Sequence, residues 1–185
     1  KAVHDSIDNS WFIKGPKGEE FEKNLSEYCN APAVGVSSGT SALLLAYECL
    51  GLQPGDKIVI PSFTFISTPE MASKLGLEIV WVDCNKENYT LNTDDLAGIL
   101  SSTKGIKAIV GVDIFGHTCD WDTIKNLAGD IPVVQDAAQS FGGKYKGKLN
   151  GTYNDLTCFS FYPAKNMWCF GDGGAVVGNQ NLIDK

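Results

Sequence analysis

Seven short apolar runs punctuate this chain, and segments with helical spacing fill most of the intervals between them. The runs are Ala33–Val36, Lys57–Ile60, Glu78–Val82, Lys107–Val112, Pro132–Gln135, Leu156–Phe161 and Ala175–Val177. Several are apolar without interruption, the pattern of strands covered on both faces. Phe21, Leu25 and Tyr28 recur at helical spacing across 17–28. Further helices are expected at 42–50, 66–75, 93–100 and 121–128, with Thr93 and Asp120 as N-caps of the last two. Strands separated by helices need crossover connections. The expected fold class is therefore α/β: a mostly parallel, seven-stranded sheet with helices on both faces. Residues 1–16 are polar apart from Trp11-Phe12-Ile13, and the passage Gly142–Asn154 is polar and Gly-rich.

Such a sheet decides where chemistry can sit, because ligands bind beyond the carboxyl ends of its strands. Ser38-Gly39-Thr40 follow the first run, Phe63 and Phe65 the second, Asp136 and Gln139 the fifth, Ser160 and Lys165 the sixth. One rim is expected to gather them, although they are scattered from residue 38 to residue 165.

Each of these residues has a plain reading beside a chemical one. Pro163, with no N–H for a ladder, should stop the strand just before Lys165. An amine at the mouth of a buried strand is partly desolvated, which favours its neutral, nucleophilic form. Taken alone, a lysine on a surface loop is the commoner case, since most lysines are exposed. Ser38, Gly39 and Thr40 open a helix, where free N–H groups and the positive dipole end can seat a phosphate. Plain N-capping uses the same residue types. Asp136 ends an apolar strand and needs a partner there, either a protonated ring nitrogen or the backbone of Ala137-Ala138 as a helix cap. Phe65 can be a flat wall for a planar cofactor or a packed core ring. Together, a lysine, an acid, an aromatic wall and an anion seat are what pyridoxal 5'-phosphate requires: a Schiff-base amine, a partner for the pyridinium nitrogen, and phosphate donors.

The chain resembles the DegT/DnrJ/EryC1/StrS family of sugar aminotransferases, among the fold-type I pyridoxal-phosphate enzymes. The resemblance runs through Trp11-Phe12-Ile13, Gly15-Pro16, Ser37-Ser38-Gly39-Thr40-Ser41-Ala42-Leu43, Pro54-Gly55-Asp56 and Pro61-Ser62-Phe63-Thr64-Phe65. It continues through Val82-Asp83, Asp136-Ala137-Ala138-Gln139, Phe159–Asn166 and Gly171-Asp172-Gly173-Gly174. It implies that Lys165 forms the Schiff base and shuttles a proton, and that Asp136 pairs with the pyridine nitrogen. It further implies that Gln139 bonds near the ring's 3-hydroxyl, that Phe65 stacks on the ring, and that Gly39, Thr40 and Ser160 hold the phosphate. The implied reaction moves an amino group from an amino-acid donor, commonly glutamate, to a nucleotide-linked keto sugar. The family works as a homodimer with its sites at the interface.

The resemblance also implies a domain plan: an N-terminal segment and helix over 1–30, then a coenzyme-binding large domain over 31–185. A C-terminal small domain, which the family's roughly doubled length carries, is absent from this chain. The first residue is Lys1, not methionine, and a fragment is expected. Three features depart from the family pattern. Asp113 stands where a histidine is usual. His117, four residues on, is expected to be a solvated loop residue. The Met167–Phe170 loop is bulkier than usual. Relatives with histidine in place of the lysine are sugar dehydratases, and Lys165 argues against that alternative. A non-catalytic coenzyme-binding regulator is a second alternative. A dinucleotide binder needs GxGxxG after the first strand, and Ser37–Ser41 lacks it.

Composition narrows the partners. A net charge of -7 argues against nucleic acid and anionic membranes. The basic residues are all lysines, so no bidentate guanidinium clamp is available. The six cysteines show neither CxxC nor zinc-framework spacing; reduced thiols in a cytoplasmic protein, and no metal, are expected.

Overall fold

The computed structural model describes residues 1–185. In chain order the elements are α1 (Ala2–Asp8), α2 (Pro16–Cys29), β1 (Ala33–Val36), α3 (Gly39–Cys49), β2 (Lys57–Pro61), α4 (Ser67–Lys74), β3 (Glu78–Val82) and α5 (Thr93–Ser102). They continue with β4 (Ile106–Val112), α6 (Trp121–Ala128), β5 (Val133–Asp136), β6 (Lys144–Tyr145), β7 (Lys148–Leu149), β8 (Leu156–Ser160), β9 (Gly174–Gly178) and α7 (Gln180–Ile183).

Seven strands form one sheet in the order β1-β9-β8-β5-β4-β2-β3. The pairs β8–β5, β5–β4, β4–β2 and β2–β3 are parallel, as the alternation predicts. Only β9 runs backwards, antiparallel to both β1 and β8. The carboxyl ends of the six other strands therefore share one rim, and β9 brings its first residue, Gly174, to that rim.

Alternate side chains explain why the strands read as unbroken apolar runs. Ile58, Ile60, Val110, Val134 and Cys158 face one core with Leu43 and Tyr47 of α3 and Met71 of α4. Val59, Ile109 and Val133 face the other with Leu96 of α5 and Trp121 and Ile124 of α6. Beyond β8, Phe159, Ala175 and Val177 pack on Leu25 and Cys29 of α2. Both faces of the sheet are thus covered by helices, the condition for a largely parallel sheet. No helix is long and apolar enough to cross a membrane. All six cysteines are free, and burial pushes the Cys29 thiol up to about 11.

Some local expectations need correction. The N-cap of α5 is Asn92, whose Oδ1 accepts from Asp94 N at 3.0 Å and Asp95 N at 3.2 Å; Thr93 is the first helical residue. One amide oxygen thereby satisfies two orphan N–H groups at once. Asp120 caps α6 as expected, accepting from Thr123 N. The Gly-rich passage 142–154 contains the small β6–β7 hairpin. Trp11, Phe12 and Ile13, the apolar triplet within the first sixteen residues, are exposed.

Candidate active site

The N-terminus of α3 lies where β1, β8 and β9 converge. Ser38 caps the helix, its Oγ accepting from Ser41 N at 3.1 Å. The capping reading is therefore correct for Ser38, yet it leaves the N–H groups of Gly39 and Thr40 without intrahelical partners. Backbone packing here is tight enough to dictate glycine twice. A Cβ on Gly39 would sit 2.7 Å from Ser160 Cβ. A Cβ on Gly174 would sit 2.5 Å from both the carbonyl carbon and oxygen of Ser38. Thr40 Oγ1 is hydrogen-bonded to Ser67 Oγ at 2.8 Å, which ties this helix start to that of α4.

Asp136 ends β5 and is 5% exposed. No helix follows it. Its Oδ1 accepts from Ala138 N at 3.1 Å across a turn, and its Oδ2 accepts from Thr68 Oγ1 at 2.8 Å. Thr68 is wholly buried and in turn accepts from Thr64 Oγ1 at 2.9 Å. Burial raises the proton affinity of Asp136 above that of an ordinary carboxyl, while Ala138 N–H, the Thr68 hydroxyl and the charge of Lys165 pull it back. Lys165 and Asp136 line the same cavity.

Lys165 sits on the loop 161–173 between β8 and β9, half-buried. Both ends of the loop are held: Phe161 N donates to Gly173 O at 2.8 Å, and Cys169 N to Phe161 O at 2.9 Å. Lys165 N closes a turn onto Tyr162 O at 2.8 Å. The bulky segment Met167–Phe170 alternates. Met167 and Cys169 pack inward on the Phe159–Phe161 cluster, and Trp168 and Phe170 stay exposed as an edge-to-face pair.

These parts surround one cavity of about 370 Å³. Gly39, Thr40, Phe65, Asp136, Gln139, Ser160 and Lys165 all line it. Phe65 is exposed, which excludes the core-packing reading for this ring. Phe63 is outside the cavity and packs on Tyr89 and Phe115 at ring distances of 5.5 and 6.0 Å. Gln139 turns its Oε1 to Phe115 N at 2.7 Å, which frees its Nε2. His117 is exposed on the loop after β4, as expected for a solvated residue.

Sequence reasoning passed over two residues that hydrogen-bond to the site's own groups. Thr68 and Ser67 begin α4, and a row of hydroxyls at the first turn of a rim helix was their only local signal. Asp113 is fully buried, on the far side of the β4–β5 pair from the cavity. Burial lifts its pKa to about 6, against donors from Cys119, Gln135 and Ser140 that favour its charge.

The donor set suits a planar, anionic cofactor. Free helix N–H groups and the Ser160 hydroxyl can take an anion, a buried acid can face a basic ring nitrogen, and an amine stands at the same cavity. The volume falls in the range of small-molecule sites.

Comparison with known proteins gives a consistent neighbourhood. The model of the DegT/DnrJ/EryC1/StrS aminotransferase family matches residues 1–185. A Pseudomonas aeruginosa protein named UDP-2-acetamido-2-deoxy-3-oxo-D-glucuronate aminotransferase is 38% identical over 175 residues, covering 93% of this chain and 48% of that protein. Among solved structures, Streptomyces venezuelae DesV in complex with a ketimine intermediate superposes with a TM-score of 0.93 at 37% identity, over 99% of this chain and 50% of its own. Bacillus subtilis ntda with bound cofactor PMP gives 0.89 at 31% identity, over 97% and 41%. The chain thus spans about half the length of the relatives it matches.

Proposed function

The chain belongs to the DegT/DnrJ/EryC1/StrS aminotransferase family, and from that premise we propose that the protein is a pyridoxal-phosphate-dependent aminotransferase. It moves an amino group from an amino-acid donor, glutamate, to a nucleotide-linked keto sugar. The observation that carries this reading is the single cavity lined at once by Lys165, Asp136, Phe65 and the start of α3.

Each residue has a task. The Lys165 amine would hold the coenzyme and would move the proton at the substrate's α-carbon. When bound, the coenzyme supplies an electron sink for the carbanion left by that proton. Asp136 holds the proton on the ring nitrogen; its buried, acceptor-only carboxylate is stabilised by a cationic partner. The N–H groups of Gly39 and Thr40 and the Ser160 hydroxyl hold the phosphate. Phe65 covers one face of the ring and excludes water there. Gln139 Nε2 donates toward the ring's 3-hydroxyl.

Within this reading residues 31–185 are the coenzyme-binding large domain, residues 1–30 an N-terminal segment and helix, and the protein is cytoplasmic. It acts as a homodimer with its sites at the interface. The exposed rings of Phe63, Tyr89 and Phe115 beside the cavity support this, being a surface a second copy would cover.

The test is spectroscopic and then chemical. The purified protein loaded with pyridoxal 5'-phosphate is expected to show the absorbance of lysine-bound coenzyme, and Lys165→Ala to abolish it. Glutamate and a nucleotide-linked keto sugar are expected to yield the amino sugar. Coenzyme uptake with no amino transfer to any such sugar would leave a regulator and sink the enzyme reading.

A further inference from the structure

The turn that carries Asp136 and Gln139 is gripped from behind by a carboxylate that plays no part in the reading above. Asp113 follows β4, is fully buried, and belongs to none of the four ion pairs. Its Oδ1 accepts from Cys119 N at 3.0 Å. Its Oδ2 accepts from Gln135 Nε2 at 2.6 Å, Ser140 Oγ at 2.9 Å and Asn150 Nδ2 at 3.2 Å. Two of those donors bracket the turn. Gln135 immediately precedes Asp136, and Ser140 immediately follows Gln139.

Further bonds close the frame. Asp113 N donates to Asp136 O at 3.0 Å. Phe115, two residues on, donates its N–H to Gln139 Oε1. Gln135 Oε1 accepts from Thr157 Oγ1 at 3.1 Å, which reaches β8, the strand that ends in Ser160. Apolar residues could fill this space without the cost of desolvating an anion. What they could not do is fix the two feet of a turn in one place, since dispersion contacts are not directional.

We propose that Asp113 is a positioning residue that clamps both ends of the Asp136–Gln139 turn, and so sets where the acid and the amide meet the coenzyme. This rests on the coenzyme-binding reading above. Asp113 touches neither coenzyme nor substrate; it acts through Gln135 and Ser140. Removing its carboxylate strands several buried donors and lets the turn settle elsewhere.

Four versions of the protein test this: wild type, Asp113→Asn, Ser140→Ala and Leu96→Ala. Ser140→Ala loosens one foot and keeps the carboxylate, which covers a failure of Asp113→Asn to fold. Leu96→Ala opens the distant α5 core and serves as a destabilised control. Each is titrated with pyridoxal 5'-phosphate, and the bound form's absorbance is followed against pH at a temperature well below every melting point. Asp113→Asn and Ser140→Ala are expected to weaken coenzyme binding by about tenfold and to shift the pH midpoint of the absorbance. Leu96→Ala is expected to lower the melting temperature alone. If Asp113→Asn and Ser140→Ala also lower only the melting temperature, Asp113 is a folding node and the proposal falls. If wild type shows no lysine-dependent absorbance, the functional reading fails first and takes this one with it.

Discussion

The Thr68 hydroxyl donates to Asp136 Oδ2 across 2.8 Å, and the bond joins a helix to a strand 68 residues apart in sequence. Thr68 carbonyl oxygen also accepts from the buried Tyr47 hydroxyl at 3.1 Å, so the donor is itself held in place. The acid at the rim is therefore aimed by the α4 start, not only by its own strand.

Thr68→Val keeps the shape and removes the donor. Loss of this bond should cost about 1–3 kcal/mol of stability, since a buried carboxylate oxygen loses its partner. Turnover should fall about tenfold or more, while Thr68→Ser keeps most of it. Thermal unfolding and steady-state amino transfer measure the two effects. A Thr68→Val protein as active as wild type would show that aiming Asp136 is not its role.

Asp136→Asn removes the charge while an amide oxygen can still accept from Ala138 N. Coenzyme binding should persist, and amino transfer should fall by about a hundredfold or more, because the ring nitrogen no longer keeps its proton. Coenzyme titration and single-turnover kinetics separate the two. Near-normal turnover would remove Asp136 from the mechanism.

Gly39 and Gly174 should differ in what rescues them. The obstacle to a methyl on Gly39 is the Ser160 side chain at 2.7 Å; the obstacle on Gly174 is Ser38 backbone at 2.5 Å. Gly39→Ala should destabilise by about 1–3 kcal/mol, and Ser160→Gly in the same chain should recover part of it. Gly174→Ala should cost more and gain nothing from Ser160→Gly. A double-mutant cycle read by melting temperature decides this.

The pH dependence of stability carries the signature of Asp113. Its pKa is raised by burial to about 6 from an ordinary 3.8. The folded chain therefore holds this proton more tightly than the unfolded chain. The resulting stabilisation is complete below the unfolded value and is lost as pH rises through about 6, on the order of 3 kcal/mol in all. Asp136, raised by the same cause, adds with the same sign. Denaturant unfolding of coenzyme-free wild type and Asp113→Asn between these two pH values should show a gap that changes with pH. A constant gap would contradict the shift.

The sheet was legible because its strands are buried on both faces, so that each reads as an apolar run wherever it falls. The rim residues were legible by the same logic: whatever follows such a run must stand at its carboxyl end. Other features left little trace. Helix α1 buries no residue, and β6 and β7 are two residues each, too short for any period to register. Asn92 and Thr93 are neighbours that can both cap a helix, Asn the better of the two, and the hydrogen bonds fall to Asn92. Thr68 and Asp113 take their meaning from partners more than twenty residues away, at Asp136 for one and at Gln135, Ser140 and Asn150 for the other. A polar residue that serves a distant one has no local pattern to announce it.

The backward course of β9 has a geometric result. Ser160, where β8 ends, pairs with Gly174, where β9 begins, and Gly174 pairs in turn with Val36 at the end of β1. The lysine strap is thus sewn down at both hems, one on each of two adjacent strands. Ladder spacing of about 4.8 Å per step then rules the interval between the strap and the helix mouth beside it. Changes along the strap's outer edge, at Trp168 or Phe170, can reshape what passes overhead without disturbing that interval.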